Sequence, residues 1–147
     1  MINTDKTFLL NIASLERAIY SGPAHRVSVL SVNGELGILP RHSPLLAGLL
    51  PGEVRIIQAD GTEEFVYVSG GHIEVLPHMV TILADTALRG EDINEAAALE
   101  AKKRAEKTIR TSPLYTDRDQ AQLELIKALA QLKALEHTRR SRKRGGI

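Results

Sequence analysis

ADTALRGEDINEAAALEAKKRAE, residues 84–106, is where one kind of polymer gives way to another, because its Gly90 is the last glycine before Gly145. Upstream, β-branched and aromatic residues lie between the turn pairs Asn33-Gly34, Asp60-Gly61 and Gly70-Gly71, the composition of short strands in an all-β unit. Downstream, alanine, leucine and charge dominate, and Pro113 is the one proline between residues 91 and 138, which predicts two helices hinged near it. The division predicted is a sheet domain over 1–87, a helical hairpin over 88–138 and a basic tail over 139–147.

Working back from the junction, Thr7–Ser14 and Leu15–Ser21 read as paired strands punctuated by Gly22-Pro23. HRVSVLSV (25–32) and GELGILP (34–40) follow as a hairpin about Asn33-Gly34. Glu53–Gln58 and Glu63–Ser69 flank the turn at 59–62, and alternation sends Phe65 and Tyr67 to one face and Val66 and Val68 to the other. Apolar groups on both faces predict a strand held between two layers. His72–Leu76 and Val80–Ala84 form a last short pair about Pro77-His78, so eight to ten short strands point to a sandwich or a flattened barrel.

Working forward, Glu91, Asp92 and Glu95 gather where a helix N-terminus is partly positive. The first helix is predicted to reach about Arg110 with a small-residue stripe at Ala97, Ala101 and Ala105. Asp117 or Asp119 is placed to cap a second helix whose Ala121, Leu125, Ala128, Leu132 and Leu135 recur at alternating four- and three-residue steps, the seam of a helix pair. An isolated pair of this size is marginal in water, since one alanine-leucine seam buries little. The hairpin therefore needs a docking surface.

Formal charge is −3 over residues 1–90 and +4 over 91–147, with five cations in RRSRKR (139–144), a block expected to be a solvated tail. Cysteine is absent, which removes disulfides and thiolate chemistry and fits a reducing compartment. No apolar run approaches the ~20 residues of a membrane span, and the start MINTDKTFLLNIAS lacks the features of a secretory or transit peptide, so a cytosolic protein is expected. Phosphate-loop, dinucleotide, nucleophile-elbow and zinc-helix motifs are missing. His25, His42, His72, His78 and His137 are not spaced for a preformed metal site, and Glu63 and Glu64, adjacent on a strand, point apart and make no acid–base pair.

GELGILPRHSPLL (34–46), PGEVRI (51–56), EEFVYVSGG (63–71) and the stretch at 84–106 occur in order, followed by AQLELIKALAQLKALE (121–136). Together they resemble the epsilon subunit of bacterial F-type ATP synthase over nearly the whole chain. The resemblance implies an α+β fold, an N-terminal antiparallel β-sandwich of about ten strands followed by a C-terminal antiparallel two-helix hairpin. It also implies a non-catalytic rotor subunit of the central stalk, without a cofactor, joined to the gamma subunit and the c ring of a proton-translocating enzyme. Such a subunit lies peripherally on the cytoplasmic side of the bacterial plasma membrane and meets the membrane only through the complex. Glu35 is then expected to face the c-ring loops and His42 the gamma subunit. The hairpin is expected to leave its compact position, extend along gamma and inhibit ATP hydrolysis, with Lys127, Lys133, Arg139, Arg140, Arg142, Lys143 and Arg144 facing acidic residues of the catalytic beta subunits. The alternative is a nucleic-acid-binding adaptor using the basic tail, against which stands the lack of aromatic stacking platforms beside the cations.

Overall fold

A computed structural model describes residues 6–145, and its N-terminal part is nine strands: β1 Phe8–Ser14, β2 Ala18–Ser31, β3 Gly34–Ile38, β4 Leu45–Leu49, β5 Gly52–Gln58, β6 Glu63–Val68, β7 Gly71–Val75, β8 Met79–Ala84 and β9 Ala87–Arg89. A short 3₁₀ turn at Gly90–Asp92 leads to α1, Glu95–Thr111, and α2, Tyr115–Gly145. One layer runs β1-β8-β7-β4 and the other β3-β2-β5-β6-β9, with β2 belonging to both because it also pairs with β1. The result is the predicted sandwich followed by a helical pair.

Alternation builds the core. Leu10 and Ile12 of β1, Val27 and Val29 of β2, Val54 and Ile56 of β5, Ile73 and Val75 of β7, and Val80 and Ile82 of β8 all point between the layers and are fully buried. Two strand details differ from expectation. Gly22-Pro23 does not end a strand, since β2 runs through it; there β2 has β1 on one side, with Pro23 opposite Leu9, and an edge tolerates a missing N–H. The pairing of β1 with β8 is parallel, Leu9 beside Met79 through Ser14 beside Ala84, in a sheet otherwise antiparallel among the described residues.

α1 begins where Asn94 accepts a hydrogen bond from the Ala97 N–H through its side chain. Asn94→Ala should lower the stability of the hairpin by about 1 kcal/mol, read as faster amide exchange in the first turn of α1 with the strands unaffected. Ala105 is buried and Ala101 half-buried, as the predicted stripe requires, but in the first turn Ala98 is buried in place of Ala97, which is exposed. The α2 seam falls as predicted, with Ala121, Ala128 and Leu135 buried and Leu125 and Leu132 half-buried. α2 starts at Tyr115, so Asp117 lies inside its first turn, where Ser112 donates a hydrogen bond to its carboxylate.

The largest difference concerns RRSRKR, which is the last part of α2 and not a loose tail. Arg and Lys are good helix formers, and here they meet partners that local sequence does not display. Gly146 and Ile147, at the end of the predicted tail, lie outside the described residues.

Candidate functional site

α2 lies between α1 and the sheet. Its Ala130, Ala134 and Leu135 cover Phe65, Tyr67 and Leu88 together with Ile93 of the connection, a second apolar cluster separate from the sandwich core. Phe65 and Tyr67 face it while Val66 and Val68 face the sandwich, as alternation predicted. Burial raises the Tyr67 hydroxyl above its ordinary pKa, against the lowering effect of a hydrogen bond with Gln131.

Polar contacts frame this cluster. His137 Nδ1 lies 2.7 Å from Glu53 Oε2 on β5, and its ring sits 5.2 Å from that of Phe65. The Ser141 hydroxyl donates to the Glu63 carbonyl at 3.4 Å. Arg142 pairs with Glu91 of the 3₁₀ turn, Arg139 with Glu95 of α1, and Arg140 with Glu136 one turn back. Beside them Arg55 forms two hydrogen bonds to Glu63, at 2.9 and 3.1 Å, and these are the main cause of its raised pKa. Each surface pair contributes little alone, about 0–1 kcal/mol; the polar contacts that reach from α2 to the strands are His137 with Glu53 and Ser141 with Glu63.

Of the cations singled out in the sequence, Lys127 is 3.8 Å from Glu124 on its own helix. Lys133, Lys143 and Arg144 have no ion pair among the described residues. A basic arm for nucleic acid would present its cations free; three of the five in RRSRKR are taken by carboxylates of this chain.

Glu35 and His42 are not brought together. Glu35 is exposed near the start of β3, opposite Leu30 of β2. His42 lies beyond the other end of β3, in a turn closed by its N–H to the Leu39 carbonyl, and its Nδ1 is 2.7 Å from the Ser43 carbonyl. Arg41 in that turn has φ +64°, and its N–H bonds the Pro77 carbonyl, which ties the turn to the β7–β8 connection. The outer face of the β1-β8-β7-β4 layer carries exposed apolar groups among polar ones, Leu46 standing in one row with Glu74, Thr81 and Asn11. Leu46 of β4 is 71% exposed, Leu83 of β8 60% and Val32 58%. Val32 bonds through its N–H to Gly48, which pairs with His72, which pairs with Leu83, so the exposed groups form adjoining rows.

Two features were not singled out in the sequence as functional. The Glu53–His137 contact has no local signal, since its members are separated by most of the chain. Gly90, visible as the compositional break, is also a steric requirement: a Cβ there would stand 1.8 Å from Thr138 Oγ1 and 2.8 Å from Thr138 Cβ.

The fold is similar to a chain of the Euglena gracilis mitochondrial ATP synthase, in a structure of its OSCP/F1/c-ring in rotational state 1, with 23% identity, a TM-score of 0.79 and coverage of 90% of this chain and 84% of that one. It is also similar to a chain from the central stalk/c-ring of the Tetrahymena thermophila mitochondrial ATP synthase, at 12% identity, a TM-score of 0.57 and coverage of 87% and 96%. At such identities the likeness is one of fold. The sequence itself matches two family descriptions that meet at Gly90: the beta-sandwich domain of the ATP synthase delta/epsilon chain over residues 7–90, and its long alpha-helix domain over residues 91–136. With sandwich, junction and helical pair all accounted for, the chain belongs to the ATP synthase delta/epsilon chain family.

Proposed function

We propose that the protein is a non-catalytic rotor subunit of the central stalk of a bacterial, proton-translocating F-type ATP synthase. Its sandwich joins the gamma subunit to the c ring, and its hairpin restrains ATP hydrolysis by the beta subunits. It acts peripherally, on the cytoplasmic side of the plasma membrane; no helix among the described residues is long and apolar enough to cross a membrane.

The observation that carries this reading is the separation of two apolar clusters. The sandwich core is complete without the hairpin, and the hairpin rests on it through Phe65, Tyr67, Leu88 and Ile93. An element held by a small, distinct interface can leave as a unit while the rest stays folded. The exposed side chains of Leu46, Leu83 and Val32 offer apolar contacts for gamma, with His42 at the adjoining turn. Glu35, on a short exposed strand next to the Asn33-Gly34 turn, is assigned to the c-ring loops. On extension, Arg139 and Arg142 exchange Glu91 and Glu95 for acidic residues of beta, joined by Lys127, Lys133, Arg140, Lys143 and Arg144.

Added to a catalytic complex depleted of this subunit, the full chain should lower steady-state ATP hydrolysis, and a chain ending at Gly90 should still bind gamma without lowering it. Equal hydrolysis with either chain and with none would remove the inhibitory role. Failure of both chains to bind gamma would remove the stalk assignment.

A further inference from the structure

Between α2 and the strands it leaves uncovered runs a trough of about 800 Å³. Its two walls come from distant parts of the chain and are graded in the same direction. On α2, Ile126 and Leu129 lead to Lys133, Arg140 and Arg144, a spacing that keeps them on one helix face. On β2, the outward residues run from Leu30 through Ser28 to Arg26. Register aligns the two gradients: Arg26 pairs with Ile57, Ile57 pairs with Glu63, and the Glu63 carbonyl accepts from Ser141 of α2. Arg26 is therefore level with the C-terminal end of α2, two strands across the trough from it and with its guanidinium over Gly37 of β3, while Leu30 lies beyond it on the same strand, across from Ile126 and Leu129.

The apolar end is open although a docked helix borders it, with Ile126 50%, Leu129 45% and Leu30 40% exposed. At the other end Arg26, Lys133 and Arg144 have no ion pair among the described residues. The carboxylates of the floor are already engaged, Glu63 by Arg55 and Glu53 by His137. Glu35 stands at the rim, opposite Leu30 and away from the cations. From Ile126 to Arg144 the helical wall extends ~27 Å at 1.5 Å per residue, the reach of a polypeptide segment.

We propose that this trough docks an acidic amphipathic segment of a partner protein, its apolar side chains over Leu30, Ile126 and Leu129 and its carboxylates against Arg26, Lys133 and Arg144. One wall belongs to the sandwich and the other to the hairpin, so the occupant binds the compact arrangement alone and holds α2 down. The site is formed by the free chain and does not depend on extension of the hairpin or on its action in the catalytic complex.

The test uses the isolated full chain and a fluorescent peptide with leucines in one half and glutamates in the other. It should bind in a salt-sensitive way and slow amide exchange in α2. A scrambled peptide of the same composition, and the variant Arg26→Glu/Lys133→Glu, should each weaken binding on the order of tenfold. If that variant loses its circular dichroism signature, Lys133→Gln/Arg144→Gln should weaken binding severalfold in its place. Equal affinity for the scrambled peptide, equal affinity of a folded variant, or tighter binding of inorganic tripolyphosphate or an RNA oligonucleotide than of the peptide would overturn the proposal.

Discussion

Gly90→Val should release the hairpin from the sandwich, seen as rapid hydrogen exchange across α2 with the strands still protected. The Cβ that valine adds would lie 1.8 Å from Thr138 Oγ1, 2.8 Å from Thr138 Cβ and 3.1 Å from the Ala134 carbonyl oxygen. A hydroxyl can swing aside, but the Thr138 Cβ and the Ala134 carbonyl belong to the helix itself. The branched side chain therefore has room only if α2 moves. Thr138 is buried and its hydroxyl donates to that same carbonyl at 2.8 Å, so rotation also loses a hydrogen bond. Overpacking of this kind costs about 3 kcal/mol, on the order of a hundredfold in a docking equilibrium. The interface has one phenylalanine, one tyrosine, one isoleucine and two leucines with which to resist it. Within the proposed function the variant should inhibit hydrolysis more strongly than the parent chain. An unchanged exchange pattern in α2 would refute the steric argument.

The second large effect is expected in the sandwich itself. Gly71→Ala should destabilise it by at least about 3 kcal/mol, measured by denaturant unfolding, because two penalties coincide. Gly71 has φ +139°, and a Cβ there would lie 2.1 Å from the Leu83 carbonyl oxygen and 2.8 Å from Ala84 Cα, both backbone of the neighbouring β8. Neither atom can yield without breaking the β7–β8 ladder, in which Gly71 pairs with Ala84. Gly61→Ala is the control. Its φ is +89°, but nothing lies within 4 Å of the added methyl, so the cost should be the conformational one alone, about 1–2 kcal/mol. Equal losses for the two variants would show that the approach of β8 to Gly71 is not the deciding contact.

Much of the fold was legible because it is written locally. The faces of Phe65 and Tyr67 against Val66 and Val68 follow from alternation, and the α2 seam follows from helical periodicity. What was not legible depends on partners far away in sequence. α1 turns Ala98 inward and leaves Ala97 out, because the first turn is set by the Asn94 cap and by where α2 lies. RRSRKR continues the helix with Arg142 and Arg139 paired to Glu91 and Glu95, partners distant in sequence that its local composition does not display. The turn pair Gly70-Gly71 was visible, but its closeness to β8 was not. In the candidate site, Gly90 announced itself through composition, the cations of α2 through their number, and Glu35 and His42 only through resemblance. Glu53 and His137 gave no sign.

The parallel pairing of Leu9 with Met79 also sets an order of events during synthesis. The amino-terminal strand has its antiparallel neighbour β2 early, but its other edge stays open until β8 has emerged from the ribosome, and contacts so distant along the chain form slowly. The helices follow β8 in translation and meet a head that has only just closed.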